Sequence, residues 1–572
     1  MPKLGMTMTE GQITKWLVQE GQQIEKGDLL FEVETDKTTL DVDSLYKGVI
    51  RKLYYEELTV IPVNAPVAFI GEESEEIPEL AAMKPGEITE TTETAVSTTD
   101  TSSNIERSKP ETTTQTEIDK TASYEYDLVV IGAGPGGYVT AIRAAQLGAK
   151  VAVIEKDLCG GTCLNRGCIP TKALYYKAKE WTLIKNAATH GFTTGETAFD
   201  WEKILAGKDG TVRQLVKGVG QLLSKNGVSL IKGSAVVKQP HIVSIGDTTV
   251  TAQHIVLATG SRPLKKIPAE TALFDTDRIL DLKQLPQKLV IIGGGVIGCE
   301  MAHIFSTFGV EVTIIEFMPR ILPMTDAELA ALLAKSLKAN GVAIMTDTIV
   351  ESVSGGAQGY CVHTATGGAL DCDLVLEAIG RQPDHSAIED LGIRLTSRGY
   401  IDVDANFASS IEGVYAIGDS NGKSQLAHSA SHQGIQLAEH LFGGVKECGE
   451  QPIPSCIFSS LEIATVGKTL EEAEKDGLDA REFKIPYMSN GKALAMNAKE
   501  GFVKVVADAK YGEILGVHII GEQASALLHE AVMAMRGELT ASEAGHMIHV
   551  HPTLNEMLME AFLGVSSGAI NV

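Results

Sequence analysis

The 572-residue sequence contains no run of eighteen or more apolar residues, the least a membrane-spanning helix needs, so no membrane partner is expected. It is short of positive charge: 49 Lys and Arg against 74 Asp and Glu leave a formal net charge of −25. Phosphate backbones attract basic faces, so no nucleic-acid partner is expected either. Cysteine is sparse, with eight in the whole chain, which excludes a secreted disulfide framework. A close pair among so few thiols points instead to catalysis or metal binding. The opening Met1-Pro-Lys-Leu-Gly5 lacks the basic and apolar regions of a secretory signal, and a cytoplasmic location is the expectation.

What is present describes an α/β protein. Apolar residues make up 44% and glycines number 57, a composition with many tight turns. The chain is too long for one hydrophobic core and should divide into roughly three to five domains.

In the first seventy residues, Leu30–Thr35 and Thr39–Asp43 each alternate apolar and polar residues, as half-buried strands do. Asp36-Lys37-Thr38 between them places Lys37 at a hairpin tip. Gly21-Gln-Gln-Ile-Glu-Lys-Gly-Asp-Leu-Leu30 recurs loosely as Leu58-Thr-Val-Ile-Pro-Val-Asn-Ala-Pro-Val67. Two similar halves predict a small pseudo-symmetric β-sandwich. Pro2-Lys-Leu-Gly-Met-Thr-Met-Thr-Glu-Gly11 and Glu34-Thr-Asp-Lys37 resemble a lipoyl domain. The resemblance implies that Lys37 carries lipoic acid in amide linkage.

From 72 to 123 apolar periodicity disappears into Thr, Ser, Glu and Pro, as in Thr91–Ser103. Such a composition cannot bury enough surface to offset backbone ordering, so a disordered linker is expected. A flexible coil of about fifty residues spans roughly 40 Å. That length suits a tether for a swinging lysine arm, and equally an inert spacer.

Tyr126–Ile131 reads as a buried strand running into Gly132-Ala-Gly134-Pro-Gly-Gly137, followed by an alanine-rich helix ending near Gly148 and the strand Val151–Ile154, closed by Glu155. Glycines allow a tight turn and the close approach of a pyrophosphate to a helix N-terminus, and the acid can accept from ribose hydroxyls. Set between two strands, this fingerprint is specific. It occurs twice: Lys288–Ile292 leads to Gly293-Gly-Gly295-Val-Ile-Gly298, a helix, Val312–Ile315 and Glu316. Two such sites suggest two dinucleotides. A carboxylate at Glu316 would repel a 2′-phosphate and so favours NAD over NADP, and Arg320 lies past the strand end. Ile255–Gly260 (with Thr259), Leu374–Gly380 and Val414–Asp419 read as further buried strands meeting glycine turns. Asp419 is a candidate to bond a flavin's ribityl chain.

Two thiols follow the first nucleotide unit directly, in Cys159-Gly-Gly-Thr-Cys163-Leu-Asn-Arg-Gly-Cys168-Ile-Pro-Thr-Lys172. Cys163 and Cys168 can form a disulfide if the intervening backbone bends, and the glycines give it the freedom to do so. A disulfide beside a flavin can pass two electrons between a dithiol and the cofactor. The other dense constellation is His549-Val-His551-Pro-Thr-Leu-Asn-Glu556. No third ligand at metal-site spacing accompanies its histidines. Thiol chemistry needs a base in the histidine range, and Glu556 can hold the His551 imidazole in one tautomer.

From about Tyr124 onward, these motifs in this order resemble the flavin-dependent disulfide reductases, most closely the dihydrolipoamide dehydrogenases. The resemblance implies that Cys163 exchanges with substrate and that Cys168 is the charge-transfer thiolate against the flavin. It makes Lys172 a flavin contact paired with Glu300, and His551 the acid-base, oriented by Glu556 and contributed by the other subunit of a homodimer. FAD would be held by Gly132, Gly134, Gly137, Glu155, Lys172, Thr259, Gly260, Asp419 and Ala427. NAD would be held by Gly293, Gly295, Gly298, Glu300, Glu316 and Gly380. The implied reaction oxidises protein-bound dihydrolipoamide and reduces NAD⁺. Its partners would be a lipoyl-bearing acyltransferase or other lipoyl proteins of a multienzyme complex.

Cys159, Arg166, Thr171, Gln433 and Ser459-Ser-Leu-Glu462 depart from the usual family pattern. The alternatives are a reductase of glutathione or mercuric ion, or a lipoyl scaffold with an idle reductase half. Glu316 and the C-terminal Gly568-Ala-Ile-Asn-Val572, without a cysteine pair, disfavour the reductases. The intact Cys163, Cys168, His551 and Glu556 set disfavours the scaffold.

The expected architecture is multidomain. A lipoyl β-sandwich (1–71) and an acidic linker (72–123) precede two Rossmann-like α/β domains, for FAD (124–270) and NAD (271–388). A central domain (389–450) then completes the FAD site, and an α+β dimerisation domain (451–572) follows.

Overall fold

The computed structural model describes residues 10–25, 27–34, 39–44, 46–62, 65–71, 124–356, 358–388, 391–449 and 451–571. Lys37 and the expected linker, 72–123, lie outside the described residues. The chain divides into two units, Met1–Glu117 and Ile118–Val572.

The first unit is a sandwich of two small antiparallel sheets. One is ordered Thr39–Asp43, Leu29–Glu34, Glu10–Trp16, Val60–Pro62; the other Gln23–Ile24, Gly48–Leu53, Ala68–Gly71. Ile13, Ile24, Phe31, Val33, Ile50 and Ile61 form its buried core. The internal repeat is expressed in three dimensions. The shift that carries Gly21 onto Leu58 carries strand Glu10–Trp16 onto Gly48–Leu53, and buried Ile13 and Ile24 onto buried Ile50 and Ile61. Each half lends its second strand to the other's sheet: Gln23–Ile24 pairs with Gly48–Leu53, and Val60–Pro62 with Glu10–Trp16. Neither half buries its apolar face alone, which is why two are needed. Glu34 stands opposite Thr39 in the antiparallel pair that flanks residues 35–38.

In the second unit, Tyr126–Ile131 lies in a sheet between the parallel strands Val151–Glu155 and Thr248–Leu257. Ser229–Lys232 and Val414–Ala416 extend it in parallel on either side. Its central runs, Leu128–Ile131 and Val151–Ile154, are uninterrupted Val, Ile, Leu and Ala and buried throughout, as strands covered on both faces require. Thr248–Leu257 is longer than the sequence pattern suggests. Its first half closes an antiparallel meander with Ile242–Ile245 and Ala235–Gln239, and its second half joins the parallel core.

A second parallel sheet is ordered Phe274–Asp275, Leu374–Glu377, Lys288–Ile292, Glu311–Ile315, Ala343–Met345. Residues from 455 onward form a five-stranded antiparallel sheet against helices Ala524–Arg536 and Glu556–Ser566. Among the described residues no helix is long and apolar enough to cross a membrane.

Candidate active site

Both glycine turns are built by the same close contacts. Gly132 and Gly293 have φ of +101° and +109°, a region L side chains avoid. A Cβ on Gly132 would run into the Ala258 carbonyl, and one on Gly293 would lie 2.5 Å from the Ala378 carbonyl. A Cβ on Gly137 or Gly298 would strike the carbonyl of Gly132 or Gly293. The helices that follow, Pro135–Gln146 and Val296–Thr307, start at Gly134 and Gly295 with no side-chain cap. Their first N–H groups are therefore open to an anionic group, and the glycines leave room for it to approach.

Each second strand ends in a buried acid that closes its turn. Glu155 accepts from Ala133 N at 2.6 Å and Asp157 N at 2.7 Å. Glu316 accepts from Gly294 N at 2.6 Å and Met318 N at 2.8 Å. Each oxygen keeps a lone pair for a ribose hydroxyl. Arg320 donates to the Pro323 and Thr325 carbonyls at 3.0 and 3.1 Å, so its guanidinium is already engaged within its own loop. The two glycine turns fit two dinucleotides.

The thiol segment grows out of the first turn. Gly160 N donates to Ala133 O at 2.7 Å, and Gly160 and Gly161 both have positive φ. A Cβ on Gly161 would lie 2.7 Å from Gly134 Cα, so only glycine lets the segment lie against the turn. Helix Gly161–Arg166 then breaks at Gly167, and helix Cys168–Lys185 begins at once. That break brings Cys163 and Cys168 to a Cα separation of 4.7 Å, joined as a disulfide. Arg166 pairs with Asp157 and so tethers the disulfide loop to the segment behind Glu155. Among the described residues the other six cysteines are free. Burial, reinforced by the Glu155 charge, raises the Cys159 thiol above its usual range, which keeps it protonated and a poor nucleophile.

One turn into the helix, Lys172 Nζ donates to both Glu300 oxygens at 3.0 Å and lies 4.5 Å from the Phe458 ring centroid. Glu300 is 4% exposed and also accepts from Phe458 N at 3.0 Å. Glu300 thus faces the lysine and ties helix Val296–Thr307 to residues before Glu462. Tyr175, on the same helix as Lys172, donates to Glu462, which accepts from Ser525 Oγ at 2.8 Å.

Asp419 sits in the turn after strand Val414–Ala416 and accepts from Ser261 Oγ, which Arg381 Nε also approaches at 2.8 Å. Buried Gln433 supports that turn, its carbonyl accepting from Gly418 N at 2.7 Å and Asn421 Nδ2 at 3.0 Å. Only an acceptor is needed there, so an amide can replace an acid. Thr259 donates to the Asp384 carbonyl at 2.9 Å. Gly260 and Gly380 occupy φ of +70° and +121°, and Ala427 opens helix Ala427–Phe442.

At the far end of the chain two histidines meet two carboxylates. His551 Nδ1 lies 2.8 Å from Glu556 Oε1, and Thr553 N donates to the other oxygen at 2.8 Å. The His551 side chain is 80% exposed. Burial acts to raise the Glu556 carboxyl, but the Thr553 N–H and the imidazole outweigh it and hold it below its usual value. His549 Nε2 lies 2.6 Å from Glu530 Oε1 and Nδ1 2.9 Å from the Met547 carbonyl. Glu530 has no local signal in the sequence, because it reaches the motif from a separate helix. Among the described residues no group of His, Cys, Asp and Glu could hold a metal ion.

Residues 126–434 match the family model for pyridine nucleotide-disulphide oxidoreductases, and 453–562 the dimerisation domain of the same family. Residues 1–70 match the model described as biotin-requiring enzyme, the biotin/lipoyl domain. Among curated proteins, the dihydrolipoyl dehydrogenase of Thermus scotoductus is 40% identical over 78% of this chain and 99% of its own length. That of Chlamydia pneumoniae is 40% identical over 77% and 96%. Among solved structures, the HOCl-induced flavoprotein disulfide reductase RclA from Escherichia coli superposes with a TM-score of 0.70 at 28% identity, over 76% of this chain and 99% of its own.

Proposed function

The chain belongs to the pyridine nucleotide-disulphide oxidoreductase family, and from that premise we propose a lipoylated dihydrolipoyl dehydrogenase that oxidises dihydrolipoamide and reduces NAD⁺. The observation that carries this reading is the Cys163–Cys168 disulfide, seated on the first glycine turn through the Gly160–Ala133 bond.

The chemistry at the disulfide follows from its sulfurs. A substrate thiolate attacks Cys163 Sγ, the S–S bond breaks, and the electron pair leaves on Cys168. The second substrate thiol gives up its proton and attacks the mixed disulfide, releasing Cys163 and the oxidised lipoyl ring. The disulfide has then gained two electrons, and of the two protons that leave the substrate the His551 imidazole takes one and the released Cys163 sulfur the other. His551 takes up a substrate proton at Nε2: Glu556 accepts from Nδ1–H, which fixes the tautomer that leaves Nε2 free. The Lys172 ammonium, paired with Glu300, would contact the flavin. FAD, held by the first turn with Asp419, Thr259, Gly260 and Ala427, would carry the electron pair to the nicotinamide. NAD⁺ would be held by the second turn, with Gly380 and Glu316. The carboxylate of Glu316 and the engaged Arg320 both favour NAD over NADP.

The exposed His551 stands among exposed Met547, Ile548 and Val550, as befits a surface covered by a second copy. The base would act on the partner subunit's disulfide in a homodimer. Lys37 would carry the lipoyl group, and the partners would be lipoyl proteins of a multienzyme complex in the cytoplasm. Anaerobic addition of dihydrolipoamide to the yellow protein should raise a long-wavelength charge-transfer band, which NAD⁺ then discharges. An unchanged flavin spectrum would refute the assignment.

A further inference from the structure

The two histidines of the C-terminal motif have different hydrogen-bonding partners, and the difference assigns them different work. His549 faces acceptors with both ring nitrogens, the Met547 carbonyl at Nδ1 and the Glu530 carboxylate at Nε2. Only the imidazolium donates from both nitrogens. His551 meets one carboxylate, at Nδ1, and keeps Nε2 for a reacting proton. A doubly donating ring cannot serve as a base; a singly donating ring can.

The carboxylate that holds His549 also reaches across the loop. Glu530, on helix Ala524–Arg536, accepts from Asn555 Nδ2 at 2.7 Å through its second oxygen. Asn555 directly precedes Glu556, the partner of His551. One side chain therefore fastens both ends of the 549–555 loop, with His551 between the fastened points.

We propose that His549, held as an imidazolium, and Glu530 form a clamp that positions His551 and Glu556 for proton transfer. The inference rests on the proposed role of His551. The carboxylates facing His549 are Glu530 and, at longer range, Glu556. Burial opposes the charge on His549, but the Glu530 and Met547 bonds outweigh it and raise the group above the usual histidine range. The sign follows. The charged clamp is fully present below the unfolded histidine value of about 6.5 and is lost as pH rises through the higher folded value. Without the Glu530 charge, that loss comes at lower pH.

The test is steady-state kinetics of the holoenzyme with free dihydrolipoamide across pH, alongside ferricyanide reduction by NADH. His549→Gln should lower kcat for dihydrolipoamide roughly tenfold to a hundredfold, the cost of a misplaced catalytic group, with KM and ferricyanide reduction unchanged. Glu530→Gln should bring the alkaline fall of kcat to lower pH. Wild-type kcat and pH profile in both variants would overturn the clamp, and so would an equal loss of both activities, which marks a merely structural role. Wild type and His551→Gln run as controls. An inactive wild type sinks the functional reading and this inference with it. An active wild type with an unimpaired His551→Gln variant removes the base that the clamp is meant to serve.

Discussion

The two nucleotide-binding units of this chain are nearly the same frame. In each, a strand ends at a glycine of positive φ, an uncapped helix starts three residues later, and a buried acid at the end of the second strand closes the turn. Even the next bond repeats: Gly160 N donates to Ala133 O in the first, and Leu322 N to Gly294 O at 2.9 Å in the second. What fills that place differs. In the second unit, Ile321 and Leu322 are buried at 2% exposure each, and the chain continues into the loop of Arg320. In the first, two glycines turn the backbone so that Cys163 and Cys168 follow. The frame fits a dinucleotide in both. Both fillers pass through a positive φ, Gly160 at +93° and Leu322 at +50°; only the first leads into a thiol pair.

Removing that difference should have the largest effect. Cys163→Ser or Cys168→Ser leaves two nucleotide turns and no disulfide, so NAD⁺ reduction by dihydrolipoamide should fall to background while the protein stays yellow. A colourless protein would mean the thiols also hold the flavin.

Breaking the frames one at a time comes next. Gly132→Ala forces a methyl against the Ala258 carbonyl, and Gly293→Ala against that of Ala378, each costing about 1–3 kcal/mol of overpacking. The first should lower flavin content, measured by absorbance; the second should keep the flavin and raise KM for NAD⁺. The same loss from both would deny that the two turns serve different nucleotides.

Glu316→Ala should be gentler. It removes a charged acceptor worth about 1.5–3 kcal/mol, so KM for NAD⁺ should rise about tenfold or more at little cost in kcat. An unchanged KM would show that the carboxylate only closes the turn. The smallest effect belongs to the other unit. Lys37→Arg should abolish lipoylation, read by intact mass, and leave turnover of free dihydrolipoamide at the wild-type level.

The elements that the sequence shows best are those whose partners are near in the chain. Gly132–Glu155 and Gly293–Glu316 are each readable because strand, turn, helix and acid follow one another. Cys163 and Cys168 are readable because one turn and one glycine join them. The halves of the first unit are visible as a repeat, but their exchange of second strands is not, since no local pattern says which sheet a two-residue strand joins. Gln433, which stands out in the sequence as a departure, is ordinary in the structure: the Asp419 turn needs only an acceptor. Glu530 is the opposite case, an unremarkable helical glutamate in the sequence until the fold sets it beside His549 and Asn555.

By itself, then, the sequence determined a lipoyl-like β-sandwich, two dinucleotide frames, a close thiol pair and a histidine–acid motif, because glycine conformations, strand periods and short loops are local properties. The tertiary structure decided which side chains bond one another. It tied Glu300 to the Phe458 N–H, engaged Arg320 within its own loop, and gave His549 two acceptors but His551 one. Those choices rest on groups far apart in the chain that become neighbours only when the sheets and helices pack. Buried polar atoms must then find partners at hydrogen-bond distance, and the packing settles which.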